Sequence, residues 1–179
     1  MKYKIIYADP PWLYKDVNNT GRGASKHYPV MKIKDICNLP IKDISADDSL
    51  LFIWATYPTI DDCLKVIKAW GFEYKTFAFV WVKQNKIANS LFWGLGRYTR
   101  SNSEPCLVAR KGKNIVLSHS VHQIIQSPIQ KHSQKPDIVK DKIIELVGDL
   151  PRIELFARQK TNGWDSWGNE VPNDIEIKI

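Results

Sequence analysis

The sequence predicts an α/β protein in which helices cover a mostly parallel sheet. Strand-like and helix-like segments alternate along the chain, without internal repeats or low-complexity tracts. The strand-like segments are nearly unbroken apolar runs, which are typical of strands buried on both faces of a parallel sheet. The chain has 179 residues, of which 44% are hydrophobic, and it can bury one core. We therefore expect a single domain over residues 1–179.

The first three strands are predicted from runs of apolar, β-branched and aromatic residues. These runs are YKIIYA at residues 3–8, SLLFIWAT at residues 49–56 and YKTFAFVWVK at residues 74–83. A helix is predicted between the second and third strands, where Thr59 can cap its start and Gly71 follows its end. Its apolar residues fall at helical spacing: Ile60, Cys63, Leu64 and Ile67.

The C-terminal half of the chain adds two strands and a helix to this pattern. PCLVARKG at residues 105–112 and RIELFAR at residues 152–158 are predicted strands. The segment at residues 135–149 is predicted to be a helix with one apolar face, formed by Val139, Ile143, Leu146 and Val147. Three tryptophans fall within these strand or helix patterns and are expected in the core: Trp54, Trp70 and Trp81.

Two conspicuous segments follow the first and the last predicted strands. Asp9, Pro10, Pro11 and Trp12 follow the first, and ARQKTNGWDSWGNE ends the last and continues beyond it. Parallel sheets bind ligands at the carboxyl ends of their strands, so both segments are expected to face one crevice. A carboxylate, two rigid prolines and an aromatic ring suit a planar group that carries N–H donors. A strand end punctuated by proline is the alternative interpretation.

Several classes of site lose support because their motifs are missing from the sequence. The chain has no G-x-x-x-x-G-K-[ST] phosphate loop, no G-x-G-x-x-G dinucleotide motif and no G-x-S-x-G nucleophile elbow. His119 and His122 have ligand-like spacing, but they lie in a polar connection without a nearby cysteine or a clear carboxylate partner. We therefore expect no metal site.

Charge and cysteine content indicate the setting in which the protein acts. The net charge of +7 and the pI near 9.3 favour an anionic partner such as nucleic acid. Cys37, Cys63 and Cys106 are widely spaced among apolar residues, so we expect buried thiols in a reducing cytoplasm. No apolar run reaches membrane-spanning length, and a soluble protein is expected.

Five segments in order give the sequence a resemblance to a known family. They are ADPPW, GRGASKHYP, RYTRSNSEPCLVARKG, VHQIIQSPIQKHSQKPD and IELFARQKTNGWDSWGNE. Together they resemble the DPPW adenine methyltransferases, a family that includes the catalytic subunit of the eukaryotic messenger-RNA adenosine methyltransferase and many bacterial and phage DNA enzymes. The resemblance implies a Rossmann-like fold, with the motifs circularly permuted because the catalytic motif comes first and the cofactor-side strand last.

The resemblance also implies S-adenosylmethionine as the cofactor and a set of residues that contact it. Lys135, within the segment Ser133-Gln134-Lys135-Pro136, would contact the carboxylate of the cofactor. Arg158, Asn169 and Glu170 match positions that line the ribose and adenine pocket, and Asp9 also reaches the cofactor. A solvated lysine before a helix is the alternative interpretation of Lys135.

For catalysis, the resemblance implies methyl transfer to the exocyclic amine of adenine. Asp9 and the carbonyl of Pro10 would accept hydrogen bonds from this amine and make its lone pair available. Pro11 would hold the acceptors rigidly, and Trp12 would stack on the ring. A subunit of the same fold that binds nucleic acid without catalysis is the rival hypothesis, although such subunits lose the DPPW motif, which is intact here.

Further residues are implied as substrate contacts: Tyr14, His27, Tyr28, Arg97, Tyr98, Arg100 and Glu104. Residues 18–29 are predicted to form a mobile lid, with a disordered loop as the alternative. A phosphate-tracking groove is also predicted, formed by Arg97, Tyr98, Arg100, Arg110, Lys111 and Lys113, and a solvated basic face is the alternative.

The polymer that carries the adenine is left open by the residues themselves. The short chain, without a recognisable RNA-binding module, resembles the bacterial or phage members, so we expect DNA, with RNA as the alternative. We expect the choice of target sequence to come from loops or from a partner, either a second copy in a homodimer or a methyltransferase-like subunit.

Overall fold

The computed structural model describes residues 2–13, 30–88, 90–96, 98–130 and 134–177. Seven strands form one mixed sheet in the order β5-β3-β4-β2-β1-β6-β7. The strands are β1 (Tyr3–Ala8), β2 (Ser45–Trp54), β3 (Glu73–Gln84), β4 (Ser103–Lys111), β5 (Ile124–Pro128), β6 (Arg152–Leu155) and β7 (Asp165–Trp167). The helices are α1 (Ile33–Asn38), α2 (Ile41–Ile44), α3 (Ile60–Ala69) and α4 (Ile138–Val147), and a 3₁₀ turn spans Tyr57–Thr59.

The central strand β1 pairs in parallel with β2 on one side and with β6 on the other. The pairs β6–β7 and β3–β5 are also parallel, so the prediction of a mostly parallel sheet is confirmed. Strand β4 is the exception, because it runs antiparallel to both β2 and β3. Its first residues therefore lie at the same edge as the carboxyl ends of the other strands.

Helices pack on both faces of the sheet and divide the core into two layers. Ile6 and Ala8 of β1 face one layer, which contains α1, α2 and α3, whereas Ile5 and Tyr7 face the other layer, which contains α4. All four of these residues are buried. Burial on both faces explains why the strands have unbroken apolar runs, since each residue meets a covering layer whichever way it points.

The predicted core tryptophans lie in the core. Trp54, Trp70 and Trp81 are buried, and their indole N–H groups all have acceptors. Trp70 Nε1 donates to Ile36 O at 2.8 Å and Trp81 Nε1 donates to Ser127 O at 3.2 Å. The prediction of buried free thiols holds for Cys63 and Cys106, while Cys37 is free but only partly buried.

Local details differ from the sequence predictions. The Thr59 hydroxyl does not cap α3, because it donates to Thr56 O at 3.0 Å and closes the preceding 3₁₀ turn. The sequence patterns also missed the short elements α1, α2, β5 and β7, which have too few residues to show a period. In the described parts of the chain, no helix combines the length and the apolar character needed to cross a bilayer.

Candidate active site

A cavity of about 190 Å³ opens at the carboxyl edge of the sheet, between β1, β6 and the start of α4. Strand β1 lies here between neighbours from opposite ends of the chain, β2 and β6, which is the position where doubly wound sheets bind ligands. The lining residues are Tyr7, Asp9, Gln134, Lys135, Pro136, Asp137, Lys140, Glu154, Phe156, Arg158, Gln159 and Glu170. The two conspicuous sequence segments therefore meet at one crevice, as predicted.

Hydrogen bonds of Pro10, Pro11 and Trp12 fix the turn that follows β1. Trp12 N–H donates to Pro10 O at 2.9 Å across Pro11, and Met31 N–H donates to Pro11 O at 3.0 Å. The indole Nε1 of Trp12 donates to Trp54 O at 2.9 Å. The Pro10 carbonyl oxygen keeps a second lone pair for another donor. The backbone that follows Asp9 is thus fixed, and Asp9 itself lines the cavity.

Trp12, the predicted stacking surface for the base, is buried. The residue is only 4% exposed and belongs to the core layer of α1, α2 and α3. A ring packed on its faces by core residues has little surface for a base. Here Trp12 anchors the turn to β2, and its contact with substrate stays a prediction.

Four side chains of alternating charge run from Asp9 toward β3. Lys135 Nζ lies 2.8 Å from Asp9 Oδ2 and 3.1 Å from Glu104 Oε1, and Lys83 Nζ lies 2.8 Å from Glu104 Oε2. The Lys135 and Glu104 side chains are each 11% exposed. A buried ammonium between two carboxylates is stable because each charge is paired. This row of four is called the ion chain below.

Burial and neighbouring charges set the protonation of the ion chain. Burial raises the pKa of the Asp9 carboxyl, while the Lys135 ammonium opposes this and Glu104 adds to it. Burial would likewise raise the pKa of Glu104, but the ammonium groups of Lys135 and Lys83 outweigh it and hold that pKa below its usual value. Burial disfavours the charged form of Lys135, yet Asp9 and Glu104 outweigh this and raise its pKa. Lys135 and Glu104 therefore stay charged at neutral pH.

A second buried ion pair lies in the wall of the cavity. Lys140 Nζ of α4 lies 2.5 Å from Glu154 Oε2 of β6 and donates to Thr161 Oγ1 at 2.6 Å. Burial raises the pKa of Glu154, and the Lys140 ammonium opposes this rise. Beside it, Trp54 Nε1 donates to the hydroxyl of Tyr7 at 2.6 Å. The polar side chains of this wall are held in place by these contacts, and the strands and the helix that carry them are buried.

The loops after β6 and β7 lie very close to each other. Among the described residues, Phe156 is the only non-glycine with a positive φ, 61°, which turns the chain sharply as β6 ends. Ala157 N–H donates to Trp167 O at 3.0 Å, and a Cβ atom added at Gly168 would lie 2.2 Å from Ala157 O. Only glycine permits this approach. It brings Arg158 and Glu170 together, with Nε 2.8 Å from Oε1.

The structure brings together part of the predicted set. Asp9, Lys135, Arg158 and Glu170 line the cavity, and Glu104 contacts Lys135. Asn169 is exposed beside Glu170 but is not part of the cavity wall, while Tyr98 and Arg100 lie exposed in the connection between β3 and β4. Several predicted residues fall outside the described residues: Tyr14, the lid at 18–29 with His27 and Tyr28, Arg97 and Ser133.

The prediction of one basic groove was wrong for Arg110 and Lys111. Both lie at the end of β4, whereas Glu104 lies at its start. Because β4 is antiparallel to its neighbours, Arg110 and Lys111 are at the opposite edge of the sheet, about 20 Å from Glu104 at roughly 3.3 Å per residue. Lys111 Nζ instead donates to Ser45 Oγ at 3.2 Å. Arg110 and Lys111 cannot share a groove with Arg100.

Sequence reasoning missed Lys83, Lys140, Glu154 and Tyr7. The available signal was the charge itself, because Glu154 interrupts the apolar run of β6 and Lys83 ends that of β3. A charged residue in a buried strand needs a partner, and the partner is often functional. Within the described residues, no group of three or more His, Cys, Asp or Glu side chains could hold a metal ion.

The ion chain predicts a pH-dependent loss of stability for Lys83→Met. At pH 7 the variant should lose about 1–3 kcal/mol of unfolding free energy in urea denaturation, because Glu104 loses a charged partner. The pKa of Glu104 is lowered in the folded protein, so this contribution is present above the unfolded value and disappears as pH falls through the folded value.

Lys75→Met is the matched control, because Lys75 lies on the same strand and pairs with the exposed Glu73 at 2.6 Å. We expect it to change the unfolding free energy little. A loss for Lys83→Met that is equally large at acidic pH would contradict the pairing with an ionised Glu104.

The MT-A70 family matches residues 3–170 of the chain. The chain is 40% identical to the type II methyltransferase M.MunI of a Mycoplasma species, over 98% of this chain and 81% of that protein. It is 29% identical to the N(6)-adenosine-methyltransferase MT-A70-like protein of Drosophila melanogaster and 26% identical to the human N(6)-adenosine-methyltransferase catalytic subunit METTL3. Both matches cover 95% of this chain but only 27% and 28% of the larger proteins.

These matches confirm the family resemblance drawn from the five sequence segments. The family match covers all seven strands of the sheet, from β1 to the loop after β7. The chain therefore belongs to the MT-A70 family and is a methyltransferase of the S-adenosylmethionine-dependent type.

Proposed function

We propose that this methyltransferase modifies the exocyclic 6-amino group of adenine in DNA, with S-adenosylmethionine as the methyl donor. The observation that carries the proposal is Asp9, a carboxylate in a cavity lined by both acidic and basic side chains, followed directly by a Pro10 carbonyl whose direction is fixed by the Trp12 N–H. An amine with two N–H donors is the group that such a pair would bind.

The residues of the cavity fit S-adenosylmethionine. This molecule has a carboxylate, an ammonium, a sulfonium and a ribose with two hydroxyls, and the cavity offers Lys135 and Arg158 for the anion and Asp9, Glu154 and Glu170 for cations and hydroxyls. We assign the carboxylate to Lys135 and the ribose to Glu170 and Asn169. The cofactor supplies an electrophilic methyl group. The permuted order of the motifs is part of the same proposal.

The chain itself orients the acceptor amine. The lone pair of an adenine amine is delocalised into the ring, and hydrogen bonds from its N–H groups to Asp9 and Pro10 O favour a pyramidal nitrogen. The γ-turn at Pro11 fixes the direction of the Pro10 carbonyl before substrate arrives, so little reorganisation is needed. The raised pKa of Asp9 also suits it to hold the proton that leaves the amine.

Adenine and DNA are supported by different observations. The names of the Drosophila and human relatives specify adenosine methylated at N6, which supports the 6-amino group. The name of the bacterial relative, a type II methyltransferase, supports DNA, and that match covers most of both chains. RNA is the second candidate because of the eukaryotic relatives. The intact Asp9-Pro10-Pro11-Trp12 argues against a subunit that only binds. The free thiols support a cytoplasmic setting.

The substrate assignment predicts labelled N6-methyladenine after incubation with radiolabelled S-adenosylmethionine and DNA. Matched DNA and RNA pools of random sequence should be offered separately, as single strands and as duplexes, followed by digestion and nucleoside analysis. We expect more label in DNA than in RNA, all of it in adenine. Preferential labelling of RNA would overturn the DNA assignment, and label in cytosine would overturn the adenine assignment.

Asp9→Ala, which removes the acceptor, should lower the rate of methyl transfer by about 10²- to 10³-fold, the usual cost of losing one pre-organised polar contact in a transition state. Cofactor affinity, measured by calorimetry, should change much less than the rate. Asp61→Ala on the exposed surface of α3 is the matched control and should leave both quantities unchanged. A fast Asp9→Ala enzyme would remove Asp9 from the reaction.

A further inference from the structure

The connection between β3 and β4 exposes several large apolar side chains at the carboxyl edge of the sheet. Trp93 is 71% exposed and Leu95 is 94% exposed, and Leu91 and Tyr98 are also exposed. A tryptophan with most of its surface in water is unusual unless it meets a partner. We call residues 91–101 the tryptophan loop.

The described part of the tryptophan loop folds tightly on itself. A Cβ atom added at Gly94 would lie 1.7 Å from Ser101 O, and one added at Gly96 would lie 1.9 Å from Thr99 O. The two glycines thus allow the backbone of the outgoing part of the loop to contact the backbone of the returning part. At its base, Asn85 Nδ2 donates to Leu91 O at 3.1 Å and to Ser90 Oγ at 2.8 Å. The exposure of Trp93 therefore belongs to a packed loop.

Backbone hydrogen bonds attach the tryptophan loop to the ion chain. Lys83 O accepts Phe92 N–H at 2.8 Å, and Lys83 N–H donates to Asn102 O at 2.8 Å. The side chain of the same Lys83 ends on Glu104, which contacts Lys135. Trp93 follows Phe92 directly. The loop is therefore fixed to Lys83, the last residue of the ion chain, at the carboxyl edge of the sheet.

The Trp93 ring is paired with a cation that can also reach a phosphate. Arg100 Cζ lies 5.4 Å from the centroid of the Trp93 ring. A guanidinium stacked on an aromatic ring keeps its N–H groups at the rim, where they can bind phosphate oxygens. Base stacking on a tryptophan together with a phosphate contact by arginine is the combination that holds single-stranded nucleic acid.

We propose that Trp93, stacked against Arg100, is a platform for an unpaired base next to the target adenine. This inference rests on the proposed function and names a contact with the substrate strand. An adenine can reach Asp9 only when it is out of the stack, and this also unstacks its neighbour. The Trp93 ring offers that neighbour a new stacking surface. The net charge of +7 favours a nucleic-acid occupant over a second copy of this chain.

The contact can be located by crosslinking, without knowledge of the target sequence. Single-stranded DNA of random sequence that contains 5-bromouracil is bound to the protein and irradiated with long-wavelength ultraviolet light. Trypsin then releases residues 87–97 as one peptide, because Lys86 and Arg97 flank the cleavage sites. We expect a base adduct on Trp93 in this peptide. Adducts only elsewhere in the chain would overturn the platform.

The energetic weight of the platform is measured by DNA binding to three variants. Trp93→Ala should weaken binding by about 5- to 150-fold, the range for loss of one base–aromatic stack, and Trp93→Phe should lose less because a ring remains. Leu95→Ala in the same loop is the control, since Leu95 is apolar and even more exposed. Equal DNA affinities for the Trp93→Ala and Leu95→Ala proteins would overturn the proposal. A change of oligomeric state in Trp93→Ala, seen by sedimentation without any loss of DNA binding, would also overturn it, because Trp93 would then contact a second copy of the chain.

Methyl transfer by the same proteins separates this inference from the proposed function. If the intact protein methylates DNA and Trp93→Ala does so with unchanged KM, the platform is wrong while the function stands. If the intact protein gives the Trp93 adduct but transfers no methyl group to DNA, the proposed function is wrong while the platform stands.

Discussion

The site depends on one buried ammonium group, that of Lys135. Removing an ammonium from water costs several kcal/mol unless opposite charges surround it, and here Asp9 and Glu104 do so from two different strands. The three residues come from the end of β1, the start of β4 and the segment before α4. Their mutual attraction therefore fixes three distant parts of the chain around one point at the carboxyl edge of the sheet.

The reversed direction of β4 makes this arrangement possible. A parallel β4 would place Glu104 at the opposite edge, and Lys135 would lose one of its two carboxylates. The same reversal moves Arg110 and Lys111 to the opposite edge of the sheet and leaves Arg100, in the connection before β4, at the carboxyl edge. The positive charge that we propose for the substrate strand is therefore that of Arg100, whose Cζ lies 5.4 Å from the centroid of the Trp93 ring.

Much of the fold could be predicted because buried parallel strands leave a strong sequence signal. The apolar runs around Phe52 and Phe79 indicate strands that are buried in the core. The helix face with Val139, Ile143 and Val147 shows the helical period clearly. The direction of β4 could not be predicted, because an apolar run reads the same for either direction.

The sequence predicted which segments meet at the candidate site, but the individual pairs of side chains were predictable only within one segment. Asp9 and Pro10 form one motif, and Arg158 and Glu170 belong to one C-terminal segment. The link between Glu104 and Lys135 depends on strand order, which single-sequence patterns do not contain. The burial of Trp12 was likewise hidden, because its N–H group is bound by Trp54 O, 42 residues away along the chain.

The Lys135 ammonium opposes the rise that burial causes in the pKa of Asp9, and titration of Asp9 tests this interaction most directly. Protein labelled with carbon-13 at aspartate carboxyls would be titrated by NMR, with Asp9 assigned through Asp9→Asn, for the intact chain and for Lys135→Met. Because burial raises the pKa of Asp9 and the ammonium lowers it, the intact protein should show a pKa above the usual aspartate value. Folded Lys135→Met should show a still higher value. An Asp9 pKa that is unchanged or lower in Lys135→Met would contradict the account.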